Sequence, residues 1–208
     1  MLLFGHIGIT VGVGKTCDIL MSIAGSSNGC QPDSSLRFDA VFCEGRLRLR
    51  YWLNRIKDRI TSIDYRLVLL GSLLPDIIDK PVWFFVGNNT SLSGRDYAHT
   101  LLFNLPLLIS GLVLIGYRKS WLLILSLASF MHLILDQMWD SPETLLWPLL
   151  GSLPEKETVG WLSNIFQGLL YPEVYIPEII GLAIILLFIY RLLKRGGVTS
   201  FIRKGAIS

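Results

Sequence analysis

"TLLFNLPLLISGLVLIGYRKSWLLILSLASFMHLILDQM", Thr100 to Met138, is the stretch on which the reading of this chain turns. Two apolar runs, Thr100–Tyr117 and Trp121 to roughly Met138, flank an Arg118-Lys119 turn. Each run is close to the ~20 residues that cross the hydrocarbon of a bilayer. A third long run, Tyr175–Leu193, reads the same way, and the shorter Leu67–Ile78 can span only beside neighbours. The opening stretch, Leu2–Ala24, is rich in glycine, which lets helix backbones approach closely. Composition agrees with these runs. The chain has 208 residues, 51% of them hydrophobic and 17% charged, where a soluble domain carries about a quarter charged. The expectation is an all-α polytopic membrane bundle of about five segments, folded as one domain over residues 1–208. Its functional core falls within about 1–150, and its last helix at about 175–193.

Basic residues orient the bundle. Arg118 and Lys119 fill one turn; Lys194, Arg195, Arg203 and Lys204 follow the last run; Arg46, Arg48, Arg50, Arg55, Lys57, Arg59 and Arg66 crowd one connection. The positive-inside rule makes all three cytoplasmic, with the amino terminus out and the carboxyl terminus in, as in a multi-pass protein of the plasma (inner) membrane. The Asp140–Glu173 connection is acidic and falls outside. Within the basic connection, Tyr51, Trp52, Ile56 and Ile60 are spaced as in an amphipathic helix lying on the inner surface. The positive-inside rule accounts for this charge, so no nucleic-acid partner is expected; net charge is only +3. Gly25–Ser35 reads as a loop, and Asn88 and Asn89 each open a glycosylation sequon. Trp83, Trp139 and Trp147 read as interfacial anchors.

Two other motifs lead nowhere. "GHIGITVGVGKTCD", residues 5–18, ends in Gly-Lys-Thr, but the position that a phosphate loop reserves for its first glycine holds Ile9. No nucleotide partner is expected. Cys17, Cys30 and Cys43 form no close pair, so neither a zinc knuckle nor a disulfide framework is indicated. The first segment lacks a basic start and is interrupted by Lys15 and Asp18, unlike a cleaved signal peptide.

The informative residues are ionisable ones placed against this topology. His6 lies at the outer end of the first segment, Asp76 and Asp79 at the outer end of the second, and Arg95 and His99 just before the third. His132 and Asp136 lie in the outer half of the fourth, with Asp140 and Glu143 beyond. All three histidines of the chain are in this set. His132 and Asp136 share a helix face at a spacing of four. A charge near the bilayer centre costs roughly 2.5–3.5 kcal/mol, so these groups must face the bundle interior and find partners there. A divalent metal, Zn²⁺ or alternatively Mn²⁺ or Mg²⁺, meets that need, and the carboxylates leave room for one or two ions. Arg95 can clamp an anion, or simply snorkel at the interface.

At these residues "GHIGIT", "GSLLPDIID", "GRDYAHTLLF" and "HLILDQMWDSPETLLWPL" together resemble the YdjM-like family of LexA-regulated, inner-membrane-associated, metal-dependent hydrolases. The resemblance runs from about His6 to Pro148 and implies a metal site built from His6, Asp76, Asp79, His99, His132 and Asp136, with Arg95 beside it. Two positions depart from the family pattern. An extra residue separates Asp76 from Asp79, with Lys80 following where the family has His, and Gly94 stands where a His often precedes the Arg. Both departures remove imidazoles and make the ligand set richer in carboxylate.

The expected function is hydrolysis of an amphiphilic phosphoester or ester lipid at the outer interface. Membrane lipid is then both environment and substrate, Asp140 or Glu143 the general base, and Arg95 the group that orients an anionic head. Two rivals use the same residues: a metal or proton transporter, which needs polar groups continuing inward past Asn104, Ser110, Ser126 and Ser129, and a non-catalytic scaffold, which needs no metal.

Overall fold

The computed structural model describes residues 3–26, 63–86, 94–150 and 170–205. The elements are α1 (Leu3–Ser26), α2 (Tyr65–Val86), α3 (Leu101–Gly116), α4 (Trp121–Leu135), a 3-10 turn (Met138–Asp140), α5 (Pro142–Leu145), α6 (Pro172–Lys194) and α7 (Val198–Lys204). No strand occurs among the described residues, so the all-α expectation holds for them. The surface helix expected at Tyr51–Ile60, both sequons, the 27–35 loop, Cys30, Cys43 and most of the basic and acidic connections lie outside the described residues.

Helix lengths qualify the expectation of about five spans. Of the described helices, α6 alone is both long and apolar enough to cross a bilayer unaided. α3 and α4, with 16 and 15 residues, rise only about 24 and 22 Å. Their ends are set by specific residues. Thr100, in extended conformation, caps α3 by accepting the Phe103 amide hydrogen at 3.2 Å. α4 stops because Gln137 takes a left-handed conformation, φ 53°. α2 extends past its apolar run to Val86 and contains Pro75 and Pro81. The expected loop start at Gly25 is corrected slightly, since α1 runs on to Ser26.

α4 packs on α2 and α3 and touches α1; α6 packs along α1. Glycine sets how closely. A Cβ at Gly8 would fall on the Gly181 backbone, one at Gly181 on Phe4 and Gly5, and one at Gly71 on the Leu125 carbonyl. The Gly-Lys-Thr sequence is ordinary helix: Thr16 Oγ1 donates to the Val13 carbonyl at 2.8 Å, leaving no loop to cradle a phosphate. At the end of the bundle away from the histidines, Tyr65 Oη donates to Asp18 at 2.5 Å, and Arg66 joins Asp64 to the Ile202 carbonyl of α7.

The interior gathers many polar side chains beside an apolar cluster of Val11, Tyr65, Val68 and Ile124, and the exterior is largely apolar. The largest fully buried side chains include His6, His99, His132, Asn104, Thr100, Asp79 and Asp96, while Phe84, Phe85, Ile109, Leu112, Ile179, Leu186 and Leu187 face outward. Soluble domains show the reverse, with apolar side chains buried and charged ones at the surface.

Replacing Gly8 or Gly181 by Val is expected to cost at least about 2 kcal/mol, seen as a thermal midpoint several degrees lower in detergent. Gly116→Ala, with open space around its Cβ position, is expected to leave the midpoint unchanged or slightly raised.

Candidate metal centre

Three helices and one turn deliver the polar groups to one end of the bundle. His6 comes from the start of α1, Asp76 and Asp79 from the later half of α2, His99 from the turn before α3, and His132 and Asp136 from the end of α4. The close approach of α2 and α4 at Gly71 and Ala128 matters here. One residue on in α2, the Ser72 carbonyl accepts a hydrogen bond from His132 Nδ1, one turn on in α4, at 2.7 Å. Pro75, which has no amide to offer the preceding turn, lies in the same stretch of α2.

His99 is held differently. Asp79 accepts the backbone amides of Asp96 and Ala98 at 2.9 Å each, with those of Tyr97 and His99 at 3.2 and 3.3 Å. It also accepts His99 Nδ1 at 2.7 Å. Both oxygens of Asp79 are thereby occupied. The Asn104 amide secures the same turn by donating to the Ala98 and Thr100 carbonyls, and its oxygen accepts the Ser129 hydroxyl of α4.

The tautomers follow from these partners. A carboxylate and a carbonyl only accept, so Nδ1 of both His99 and His132 carries the hydrogen. Their Nε2 atoms then present lone pairs, and these lie 3.2 Å apart. Two lone pairs at that distance repel unless a cation lies between them: a second proton on one ring, or a metal ion. Two imidazoles on one tetrahedral zinc, with bonds of about 2.0–2.1 Å, place their nitrogens roughly 3.3 Å apart.

Two carboxylates complete the surroundings. Asp76 Oδ1 is 3.7 Å from His99 Nε2 and 3.9 Å from His132 Nε2. Asp136 Oδ2 is 3.9 and 3.8 Å from the same atoms. Asp136 Oδ1 meets His6 Nε2 at 3.0 Å, and the His6 ring stacks on His132 with centroids 4.1 Å apart. Two overlapping groups therefore have metal-ligand spacing, His6–His132–Asp136 and Asp76–His99–His132. Because His132 spends Nδ1 on Ser72, its one free nitrogen cannot serve two ions. The two groups share His132, and an ion held through it would draw on both. The donors, imidazole nitrogen and carboxylate oxygen, fit a divalent transition metal.

A family model described as "YdjM inner membrane protein" matches residues 47–199. The chain belongs to the YdjM inner membrane protein family. The matched region contains Asp76, Asp79, Arg95, His99, His132 and Asp136, and begins after α1. It runs well beyond Pro148, where the resemblance read from the sequence ends, through the whole of α6 and into α7. His6 precedes it and joins the group through the packing of α1 on α2 and α4. Neither the curated proteins nor the solved structures include a match to the chain. Membership accounts for the apolar exterior: the outward side chains suit a membrane, where lipid rather than water surrounds the bundle.

Of the nine residues singled out in sequence, the structure brings His6, Asp76, His99, His132 and Asp136 together. It gives Asp79 to His99, outside both ligand groups. Arg95 reaches Asp136 Oδ2 with a guanidinium nitrogen at 2.9 Å. Asp140 and Glu143 are exposed and in neither group. Had α4 continued, Asp140 would have shared the His132–Asp136 face; the left-handed Gln137 turns the chain away first. Three contributors escape sequence reading. The Ser72 carbonyl is backbone. Asp96, which accepts the Gly94 amide at 3.0 Å, sits in a turn without periodicity. Glu178, buried in α6 and accepting the Phe4 amide at 3.0 Å, carried a legible signal as an acid within an apolar run.

His132→Ala and Asp136→Ala are each expected to strip the divalent metal from protein purified in detergent, measured by elemental analysis. Asp79→Asn keeps the ligand atoms but loosens the grip on His99, and is expected to weaken metal affinity roughly 10- to 100-fold. Full metal content in both the His132 and Asp136 variants would end the metal reading.

Proposed function

We propose that this protein is an integral-membrane, metal-dependent hydrolase acting on an amphiphile, a phosphoester or ester lipid, at the outer interface of the inner membrane. The observation that carries the reading is the facing pair of imidazole lone pairs 3.2 Å apart, bracketed by Asp76 and Asp136. His99, His132, Asp76 and Asp136 would hold one divalent ion, zinc by its fit to nitrogen and carboxylate donors, with His6 bound to the far oxygen of Asp136. When bound, such an ion supplies Lewis-acid polarisation and activates water near neutral pH. Arg95 orients an anionic head, and Asp140 or Glu143, the exposed carboxylates that follow Asp136, takes the proton from the attacking water.

The topology proposed with it is five passes, α1, α2, α3, α4 and α6, with the amino terminus outside. Alternation of the helices is what carries His6, Asp79, His99 and Asp136 to one end. The short α3 and α4 would reach across beside the longer helices, their ends covered by capped turns. The basic Arg118, Lys119, Lys194, Arg203 and Lys204 fall at the other end, as the positive-inside rule requires of a cytoplasmic face.

Hydrolysis is favoured over transport because the inward path among the described residues is thin. Ser129 bonds Asn104, Ser126 bonds the Leu123 carbonyl, and Ser110 faces outward. The buried Thr10 hydroxyl, one turn in from His6, has no hydrogen-bond partner, but it is a single uncharged group.

Purified protein in detergent is expected to hydrolyse a lipid phosphoester or ester only with metal present, losing activity to a chelator and regaining it on metal addition. Asp140→Asn or Glu143→Gln, whichever removes the base, is expected to lower kcat by at least about 100-fold with metal content intact. Hydrolysis that survives complete metal removal would refute the proposal.

A further inference from the structure

We propose that Lys80 and Arg95 form a two-cation clamp over the mouth of the metal centre and select an amphiphile with a phosphoryl head over one with an uncharged ester head. This rests on the metal-dependent reading above and narrows its substrate.

The two carboxylates that face the imidazole pair each meet a cation. Asp76 turns Oδ1 inward, 3.7 Å from His99 Nε2, and gives Oδ2 to Lys80 Nζ at 2.7 Å. Arg95 meets Asp136 on Oδ2 at 2.9 Å, the same oxygen that faces the imidazoles, so an ion bound there would displace the guanidinium. Exposure falls steeply inward from these cations: the side chains of Lys80 and Arg95 are 64% and 40% exposed, Asp76 15%, Asp136 2%, and the two imidazoles 0%. The most exposed side chains that touch the two carboxylates are therefore an ammonium and a guanidinium.

An exposed Lys–Asp pair at a spacing of four is usually a surface ion pair worth little. This one differs because its carboxylate is also a candidate metal ligand. A divalent ion taking up the charge of Asp76 and Asp136 leaves both cations with weakened partners at the rim. An incoming phosphoryl group then meets a guanidinium fork matched to its oxygens and an ammonium point charge. An uncharged ester offers neither cation a counter-charge.

The rim also accommodates a tail. Ile77 and Phe84, three residues before and four after Lys80, share its face of α2 and are exposed. Lys80 thus stands within an apolar stripe. A head held at Lys80 and Arg95 can lay its chain along Ile77 and Phe84 without leaving lipid.

The test uses full-length protein in detergent, loaded with Mn²⁺, with binding read by phosphorus-31 line broadening. The probes are inorganic phosphate and dihexanoyl phosphatidate, each competed by a neutral short-chain diacylglycerol. Lys80→Gln is expected to weaken both phosphoryl probes roughly tenfold, the loss of one charged hydrogen bond. Lys80→Arg should restore them, and the metal content of Lys80→Gln should equal or exceed that of the wild type, since an ammonium no longer competes for Asp76. Phosphatidate should bind more tightly than inorganic phosphate, and Phe84→Ser should erase that difference alone. Wild-type phosphate affinity in metal-loaded Lys80→Gln overturns the clamp. Equal binding of the two probes, unaffected by Phe84→Ser, overturns the amphiphile and leaves free phosphate as the ligand. A wild-type protein that takes up no metal fails at the earlier step and removes the basis of the clamp with it.

Discussion

The site depends on a commitment made by two ring nitrogens. His99 gives its Nδ1 hydrogen to Asp79 and His132 gives its own to the Ser72 carbonyl, so the opposite nitrogens confront each other with lone pairs. Neither imidazole can rotate out of this arrangement without breaking a buried hydrogen bond, and a buried acceptor left unpaired costs about 1–3 kcal/mol. The repulsion between the lone pairs is therefore held in place by the scaffold. A cation relieves it, and the carboxylates of Asp76 and Asp136 supply the opposing charge.

The helix packing serves that confrontation. Gly71 brings α2 close enough to α4 for the Ser72 carbonyl to meet His132, and Gly8 against Gly181 fixes α6 along α1, whose first turns carry His6. Asp79 collects four amides and an imidazole, turning the segment before α3 into a rigid mount for His99. In water an exterior this apolar around so many buried polar groups would be the wrong way round. In a membrane the same distribution places lipid against side chains that lipid solvates well and gathers the polar groups where they can satisfy one another.

Most of the site was legible in the sequence because an apolar run makes any polar residue conspicuous. His132 and Asp136 inside a hydrophobic helix, and Asp76 and Asp79 at the end of another, have no inexpensive fate except a partner. Sequence is less informative where that contrast vanishes. Asp140 lies at helical spacing from Asp136, but the helix ends first, so it is exposed beyond the ligand groups rather than on their face, and left-handed Gln137 announces itself by no pattern. For Asp79 the sequence leaves open a ligand or a group supporting one; the surrounding amides, invisible in sequence, are what tie it to His99.

What the sequence by itself determined is the helical class, the positions of the apolar runs and the identity of the residues too polar for them, because hydropathy and the helical period are local properties. What only the tertiary structure decided is which of those residues share one centre, which nitrogen each histidine offers, and that Lys80 and Arg95 each meet one of its carboxylates. Those depend on backbone carbonyls and amides, on glycine contacts and on the point at which a helix stops, and they are fixed only when separate segments meet.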